Sequence, residues 1–295
     1  MAEMTKEKVA AICKKNGFFT TPELNEQLHL HFHGFYRIEN LEEYVACRVL
    51  WLESNAIDEI ENLEKLPELR CLYLQHNNLR GLGSCSMPNL DALNVSHNKV
   101  ASLAGLEHFA GLSKLLAAGN HIADAEVAHL LRCPKLDTVD LSNNELTDFD
   151  GLLTVLQQLK ALASLALSGN ELTRTTKMYR RRLISALPGL KKLDDTPVFD
   201  DERRCAVAWA AGGPAAERAA REEIRKEAKA EAERQRDWFN EFLEEARKKP
   251  IRQGPTAYAD ANRPAADAPA GSGEGGEAKT MGKIAVLAEI GRAHV

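Results

Sequence analysis

Three histidines near the start of the chain alternate with apolar residues, a spacing that could supply metal ligands. His29, His31 and His33 stand two residues apart, so a β-strand would place all three on one face. Neighbours would then be about 6.6 Å apart along the strand, whereas one Zn²⁺ ion needs ligand atoms at about 2.1 Å. No acidic or cysteine ligand stands obviously nearby, so the pattern favours a polar strand face over a metal site.

Catalytic motifs are not found in the sequence. There is no G-x-S-x-G, no phosphate-binding P-loop, no H-E-x-x-H and no Cys/His pair that spacing would bring together. Asp137, Asp140 and Asp148 are acids of expected strand ends or loops, where structural roles are common. We therefore expect neither enzymatic activity nor a cofactor.

A basic cluster in the second half of the chain could bind RNA or phosphate. Its members are Arg174, Lys177, Arg180, Arg181, Arg182, Lys191 and Lys192. Acidic residues follow closely, namely Asp194, Asp195, Asp200, Asp201 and Glu202. The chain as a whole carries a net charge of −5, from 38 basic and 43 acidic residues, which argues against bulk binding of polyanions. The cluster favours the solvated side of a cap helix, and we do not expect nucleic acid as a partner.

The architecture that carries these residues is predicted by a short repeated pattern, L-x-x-L-x-L-x-x-N-x-L. Its asparagines are Asn55, Asn77, Asn98, Asn120, Asn144 and Asn170, and successive ones are 21 to 26 residues apart. This spacing is typical of leucine-rich repeats. We predict an α/β solenoid, a right-handed superhelix of roughly 22-residue coils whose parallel strands line the concave face.

Each position of the repeat has a physical role. Leu72 and Leu74 lie two residues apart on a short strand and point into the core. Asn77 follows where backbone groups leave the sheet, and its amide offers both donors and an acceptor. We expect every asparagine of this ladder to bond to the backbone of a neighbouring coil. The apolar residues Leu82, Leu103, Leu106 and Phe109 should line the convex arm.

The solvent-facing positions of the strands form a predicted protein-binding surface. The candidates on this concave face are Trp51, Tyr73, Arg48, Arg70, His76, Asn94, His97 and Asp140, with Glu53 and Gln75 among the flanking residues. The N-terminal half of this surface is aromatic and basic, and aromatic and arginine side chains are frequent interface anchors. An ordinary solvated sheet face is the alternative.

Five segments are predicted along the chain. Residues 1–46 provide an N-terminal helix and a capping strand that pairs with the first repeat, and 47–172 hold six repeats. Residues 173–213 hold a degenerate repeat and the C-terminal cap, and 214–249 form a long charged α-helix. Residues 250–295 are rich in Pro, Gly and Ala and should be disordered. Their last seven, EIGRAHV, match the translation of a common sequencing-adapter stretch, so we expect a truncated chain with a non-native end.

The charged helix has ten basic and ten acidic residues, which is typical of a solvent-exposed helix stabilised by i,i+4 pairs. Near its end lies one apolar patch, Trp238, Phe239, Phe242 and Leu243. This patch could fold back on the solenoid or dock a partner protein. The sequence does not choose between these two roles, so the patch is a second interface candidate.

The cellular compartment is predicted from what the sequence lacks. Six cysteines are scattered without a C-x-x-C pair, which favours reduced thiols in a cytosolic protein. The N-terminus has no apolar segment of a secretory signal, and no apolar run approaches about 18 residues. We expect a cytoplasmic protein that does not enter a membrane.

The flanks of the repeats resemble those of one family. The segment from Thr5 to Leu79, which includes HLHFHGF at residues 29–35, is similar to the start of the leucine-rich-repeat dynein axonemal assembly factors. The segment LDDTPVFDDERRCAVAWAAGG, residues 193–213, resembles that family's cap. The resemblance covers residues 5–249, and residues beyond these do not match.

This resemblance implies a ciliary protein that acts in the cytoplasmic preassembly of axonemal dynein arms. Its partners would be axonemal dynein subunits, other assembly factors or co-chaperones, and no catalytic residue carries over from the family. Two other functions stay open on the residues alone. One is a regulatory subunit of a protein phosphatase, bound through the concave face, and the other is an RNA-associated leucine-rich-repeat protein.

Overall fold

The computed structural model describes residues 2–248. The chain divides into two compact units, Met1–Arg234 and Gln235–Val295, and each is considered by itself. The predicted disordered segment 250–295, with the suspected non-native end, lies outside the described residues.

The first unit is built on one sheet of nine short strands that follow one another in chain order. They are β1 (Gln27–His29), β2 (Val49–Trp51), β3 (Cys71–Tyr73), β4 (Ala92–Asn94), β5 (Lys114–Leu116), β6 (Thr138–Asp140), β7 (Ser164–Ala166), β8 (Lys192–Leu193) and β9 (Thr196–Pro197). Every pair from β1 to β8 is parallel, and only β8 with β9 is antiparallel. One strand per coil, paired with the coils before and after it, is the predicted solenoid.

From β4 onwards, helical segments lie in the arms that return the chain to the sheet, and helices also form both ends of the described chain. The α-helices are α1 (Lys6–Lys15), α2 (Phe149–Leu156), α3 (Glu171–Thr175), α4 (Tyr179–Ala186) and α5 (Asp200–Lys248), and 3-10 turns span Pro22–Leu24, Leu106–His108 and Asp124–Arg132. The middle residue of each strand from β1 to β7 is buried, and so are the predicted convex-arm residues Leu82, Leu103, Leu106 and Phe109. The core thus lies between the sheet and the arms, because each coil must stack on its neighbours to bury its leucines.

The asparagine ladder forms the predicted bonds. In the coil of β5, Asn120 Nδ2 donates to Val95 O of the preceding coil and to Ala117 O of its own, both at 3.0 Å. Its Oδ1 accepts from Val100 N at 3.0 Å. Val95 O also accepts from Asn98 Nδ2 at 2.9 Å, so successive ladder amides share one carbonyl. The other ladder asparagines repeat this arrangement.

The N-terminal segment covers the open end of the solenoid. Helix α1 begins after Thr5, whose Oγ1 accepts from Lys8 N at 3.3 Å, and buries Val9 and Cys13. Strand β1 pairs with β2 in the register Leu28 to Leu50, as the sequence predicts.

Strand β1 is shorter than the alternating histidines predict. It ends at His29, and Phe32 turns into the left-handed region with φ 60°. The same turn occurs one and two coils later, at Ser54 and His76, immediately before the ladder asparagine. The expectation that His29, His31 and His33 share one strand face is therefore wrong, because the chain leaves the sheet between the first and the last of them.

The C-terminal cap ends the sheet with side-chain oxygens. Beyond β7 the Asp194 carboxylate accepts from Leu167 N at 2.9 Å and Ser168 N at 3.1 Å, in place of the backbone of a further coil. The short β8–β9 hairpin turns at Asp194, where φ is 53°. Such a short, twisted edge is a common way to stop a sheet from pairing with another chain.

Helix α5 is broken after its first three turns. Gly212 and Gly213 have non-helical backbone angles and Pro214 restarts the helix, which suits proline because the first turn needs no N–H donor. The predicted start at 214 thus coincides with the second part of a longer helical segment. Arg204 and Glu227, 23 residues apart, meet at 2.6 Å across the break, so the two parts lie side by side.

Candidate protein-binding face

The register of the sheet aligns one residue of every coil in a single row on its solvent-facing side, which we call the sheet face. This row consists of His29, Trp51, Tyr73, Asn94, Leu116, Asp140 and Ala166. Four predicted candidates, Trp51, Tyr73, Asn94 and Asp140, lie in it. The row also begins one coil earlier than the predicted surface, at His29.

Aromatic rings cover the N-terminal end of the sheet face. The Trp51 and Tyr73 rings stack with centroids 5.7 Å apart and planes 10° apart. The His29 ring meets Trp51 edge-on at 4.3 Å, and Phe18 meets His29 edge-on at 5.1 Å. Trp51 and Tyr73 are half-buried in this arrangement. We call these four side chains the aromatic cluster; aromatic pairs of this kind fix one another's positions and present a rigid surface.

Polar side chains that directly follow the strands border the aromatic cluster. They are His31, Glu53 and Gln75, one from each of the first three coils. His31 Nδ1 lies 3.7 Å from Glu53 Oε1, too long for a good hydrogen bond. His31 Nδ1, Glu53 Oε2 and Gln75 Oε1, together with His29 Nε2, are buried nitrogen and oxygen atoms without a hydrogen-bond partner. Buried polar atoms are usually paired, so this concentration of unpaired ones is unusual.

Burial sets the protonation of two members of the aromatic cluster. It lowers the pKa of His29, with a further lowering from His31 and an opposing effect of Glu53. The pKa of Tyr73 is raised, chiefly by burial. Both side chains are therefore uncharged at neutral pH, and the carboxylate of Glu53 is the anionic group beside them.

His76 and His97 lie one coil apart at the turn before each ladder asparagine. Their rings are 4.6 Å apart and parallel within 1°, and both residues have positive φ, 59° and 57°. In the next coil the equivalent residue is Gly119. Because glycine has no Cβ, the His97 ring fits beside it. The predicted residues His76 and His97 are thus brought together with each other at the edge of the sheet.

Two other predicted residues of the row are occupied within their own coils. Asn94 Oδ1 accepts from Ser96 N at 3.0 Å. Asp140 Oδ1 accepts from Ser142 N at 2.9 Å and from Ser142 Oγ at 2.5 Å. These side chains shape the turn after the strand, and their oxygens are less available to a partner than those of Glu53 and Gln75.

Arg48 and Arg70 stand before their strands, at the opposite end from the polar group of Glu53. Both are exposed, and each is near an acid: Arg48 lies 3.3 Å from Glu26, and Arg70 lies 4.0 Å from Glu68. The structure does not bring them into the aromatic cluster. The positions that share the strand's solvent side with Trp51 and Tyr73 are instead Val49 and Cys71.

Three of the seven basic residues of the cap are paired with acids. Arg180 pairs with Glu202 at 2.5 Å, Arg181 lies 2.9 Å from Glu217, and Arg182 pairs with Asp150. These three arginines therefore hold the cap together instead of presenting a free positive surface. A phosphate-binding surface needs uncompensated charge.

The second interface candidate lies in the second unit. Trp238, Phe239, Phe242 and Leu243 are all exposed on helix α5. Trp238 and Phe242, one helical turn apart, stack with centroids 5.8 Å apart.

Within residues 2–248 no three His, Cys, Asp or Glu side chains are arranged to hold a metal ion, and no helix there combines the length and apolar character needed to cross a membrane.

Comparison with known proteins identifies the repeats and their relatives. A family model described as leucine-rich repeat matches residues 82–222. The leucine-rich repeat-containing protein ODA7 of Chlamydomonas reinhardtii is 42% identical over 83% of this chain and 56% of its own length. Dynein axonemal assembly factor 1 of Peromyscus polionotus is 40% identical over 97% of this chain and 46% of its own length. The chain has the leucine-rich-repeat fold and is similar in sequence to the dynein axonemal assembly factors.

The predicted family resemblance is thus confirmed, and this leucine-rich-repeat chain spans about half the length or less of the relatives above. The Drosophila melanogaster homologue of dynein axonemal assembly factor 1 is 38% identical over 73% of the chain, which covers 15% of that protein. A crystal structure of an internalin from Listeria monocytogenes has a TM-score of 0.51 at 21% identity, over 61% of this chain and 51% of the other. That likeness concerns the fold alone.

Sequence reasoning missed that the leucine-rich-repeat row continues into the N-terminal segment. His29 stands 22 residues before Trp51, and Leu28 and Leu30 stand 22 before Leu50 and Leu52. The repeat offset was therefore visible in the sequence. His33 occupies the place of the ladder asparagine in this first coil, and that departure from the pattern hides it.

Proposed function

We propose that this chain is a non-catalytic scaffold that binds proteins during the cytoplasmic preassembly of axonemal dynein arms, and so serves cilium assembly and motility. Relatives named dynein axonemal assembly factor 1 support the role in dynein-arm assembly. The partners would be axonemal dynein subunits, other assembly factors or co-chaperones.

The observation that carries the scaffold role is the aromatic cluster on the sheet face. Trp51 packs between the His29 and Tyr73 rings, and Tyr73 stacks on Trp51, so little side-chain entropy is lost when a partner packs against them. Large aromatic side chains in rigid positions supply much of the binding energy of protein interfaces. A phosphatase regulator could use the same aromatic cluster, so the names of the relatives are what favour dynein-arm assembly over that alternative. The arginines on which RNA binding would depend are paired with acids.

The proposal is tested by proximity labelling in ciliated cells with the wild type and a Trp51→Ala/Tyr73→Ala double variant. We expect dynein heavy or intermediate chains and assembly factors among the labelled proteins of the wild type, and their loss in the variant. A Trp238→Ala/Phe242→Ala variant tests the second interface candidate in the same way. Phe199→Ala, an exposed aromatic of the cap, is the matched control.

Folding of each variant is checked by circular dichroism before its partners are compared. Labelling of dynein chains that is unchanged in the Trp51→Ala/Tyr73→Ala variant would exclude the sheet face as the binding surface. A wild type that labels a phosphatase catalytic subunit and no dynein or assembly factor would refute the proposed role.

A further inference from the structure

We propose that the N-terminal end of the sheet face is a subsite for one cationic side chain, arginine or lysine, of a bound protein segment. The subsite consists of the stacked Trp51 and Tyr73 rings and the carbonyl and carboxylate oxygens of Gln75 and Glu53. This inference rests on the proposed function, because the bound segment belongs to the partner protein. It adds that this partner must present an arginine or lysine side chain.

The ring faces favour a cation. Trp51 and Tyr73 are nearly parallel and half-buried on the solvent-facing side of β2 and β3. The face of an aromatic ring carries partial negative charge, and indole attracts guanidinium and ammonium groups most strongly. Trp51 lies between the His29 and Tyr73 rings, so a guanidinium group would lie flat on the face of Tyr73 that is turned away from Trp51, while its N–H groups point sideways to acceptors.

Suitable acceptors stand beside these rings. Glu53 and Gln75 occupy the same position of successive coils, and Ser54 N donates to Gln75 O at 3.0 Å, which fixes their separation. Glu53 Oε2 and Gln75 Oε1 have no hydrogen-bond donor. Among the ion pairs of the described residues, Glu53 has only the long contact with His31 and none with lysine or arginine. A buried acceptor without a donor is costly, so a partner that brings N–H groups gains by pairing it.

The carboxylate can be reached from the sheet face. The Glu53 side chain keeps 19% of its surface exposed although Oε2 itself is covered. A rotation about the last side-chain bond of Glu53 brings this oxygen outward, and such terminal torsions are broad and soft.

Other occupants fit less well. A phosphate or carboxylate would meet the Glu53 charge and the negative ring faces. An apolar side chain would pack on the rings but would leave both oxygens without donors. The neighbouring His29 does not oppose a cation, because burial lowers its pKa and keeps the ring neutral.

The test compares two tripeptides, acetyl-Ala-Arg-Ala-amide and its citrulline counterpart, which has the same shape and no charge. Each is titrated against the full chain while the indole N–H signal of Trp51, assigned with Trp51→Phe, is followed by NMR. We expect the arginine peptide to bind about tenfold more tightly than the citrulline peptide, which corresponds to about 1.4 kcal/mol. In Glu53→Gln this preference should fall to about twofold or less.

Glu59→Gln is the matched control, since Glu59 is an exposed acid outside the sheet face. It should keep the full preference for arginine. Equal affinities of the two peptides for the wild type, no response of the Trp51 signal, or an unchanged preference in Glu53→Gln would each overturn the subsite.

These outcomes are separable from those of the proposed function. If the arginine preference depends on Glu53 while the wild type labels no dynein chain or assembly factor in cells, the subsite stands and the proposed function fails. If the peptides are bound equally while labelling is lost in the Trp51→Ala/Tyr73→Ala variant, the subsite fails and the scaffold role stands.

Discussion

Replacement of Asn120 by alanine measures what the asparagine ladder contributes to stability. Asn120 is 5% exposed, and its Oδ1 is the hydrogen-bond acceptor of the Val100 N–H. Its Nδ2 reaches three carbonyls, and each has a second donor: Asn98 Nδ2 for Val95 O, Asn144 Nδ2 for Ala117 O and His97 N for Ala118 O. The substitution therefore leaves one buried N–H without an acceptor and weakens three carbonyl contacts.

The expected loss of stability follows from the number of hydrogen bonds that Asn120→Ala removes. An unpaired buried donor costs about 1–3 kcal/mol, and each weakened carbonyl adds a fraction of the roughly 1 kcal/mol of a hydrogen bond. We expect Asn120→Ala to lower the free energy of unfolding by about 2–4 kcal/mol. Urea titration followed by circular dichroism measures this change, provided that the slope of the transition is unchanged.

Two further variants decide whether hydrogen bonding is the cause. Asn55 makes the same contacts but is only half-buried, so water can replace part of its bonds and Asn55→Ala should cost about 1 kcal/mol. Asn120→Asp keeps the acceptor for Val100 but turns a carboxylate oxygen towards three carbonyls, so it should be at least as harmful as alanine. Equal losses at both sites, or a tolerated aspartate, would refute the reasoning.

Three other predictions concern single residues. Gly119→Ala should lower the free energy of unfolding by about 1–2 kcal/mol in a urea titration. The reasons are the backbone strain of an alanine at φ +66° and a new Cβ only 2.7 Å from His97 Nδ1. Adding His97→Ala should restore the part of the stability lost to this clash, and the part lost to backbone strain should remain. Arg203 donates to three carbonyls at the end of the cap, so Arg203→Met should cost about 2 kcal/mol in the same assay, whereas no loss would contradict the bonding. The pKa of His29 is lower in the folded chain than in the unfolded chain, so the unfolded chain takes up this proton first as the pH falls. The free energy of unfolding should therefore decline below pH about 6.5. Unfolding titrations at several pH values should show a weaker decline for His29→Gln.

Much of the fold was predictable because each coil repeats the same local solution. Leu72 and Leu74 are spaced for one strand face, and Asn77 stands where the chain leaves the sheet, so strand, core and ladder follow from position alone. The row of Trp51, Tyr73, Asn94 and Asp140 was predicted for the same reason. The repeat does not encode which side chains in or beside the row have hydrogen-bond partners. Asp140, in the row, is bonded to Ser142, whereas Glu53 and Gln75, beside the row, keep oxygens without donors.

The sequence by itself determined the coil, the strand order and the identity of the residues on the sheet face, because a repeat of nearly constant length forces equivalent residues into register. Only the tertiary structure decided how unequal residues meet between coils. It placed Phe18 against the His29 ring at the end of the aromatic cluster and paired Arg180 with Glu202. These contacts depend on distances between residues far apart in the chain, and no local pattern specifies them.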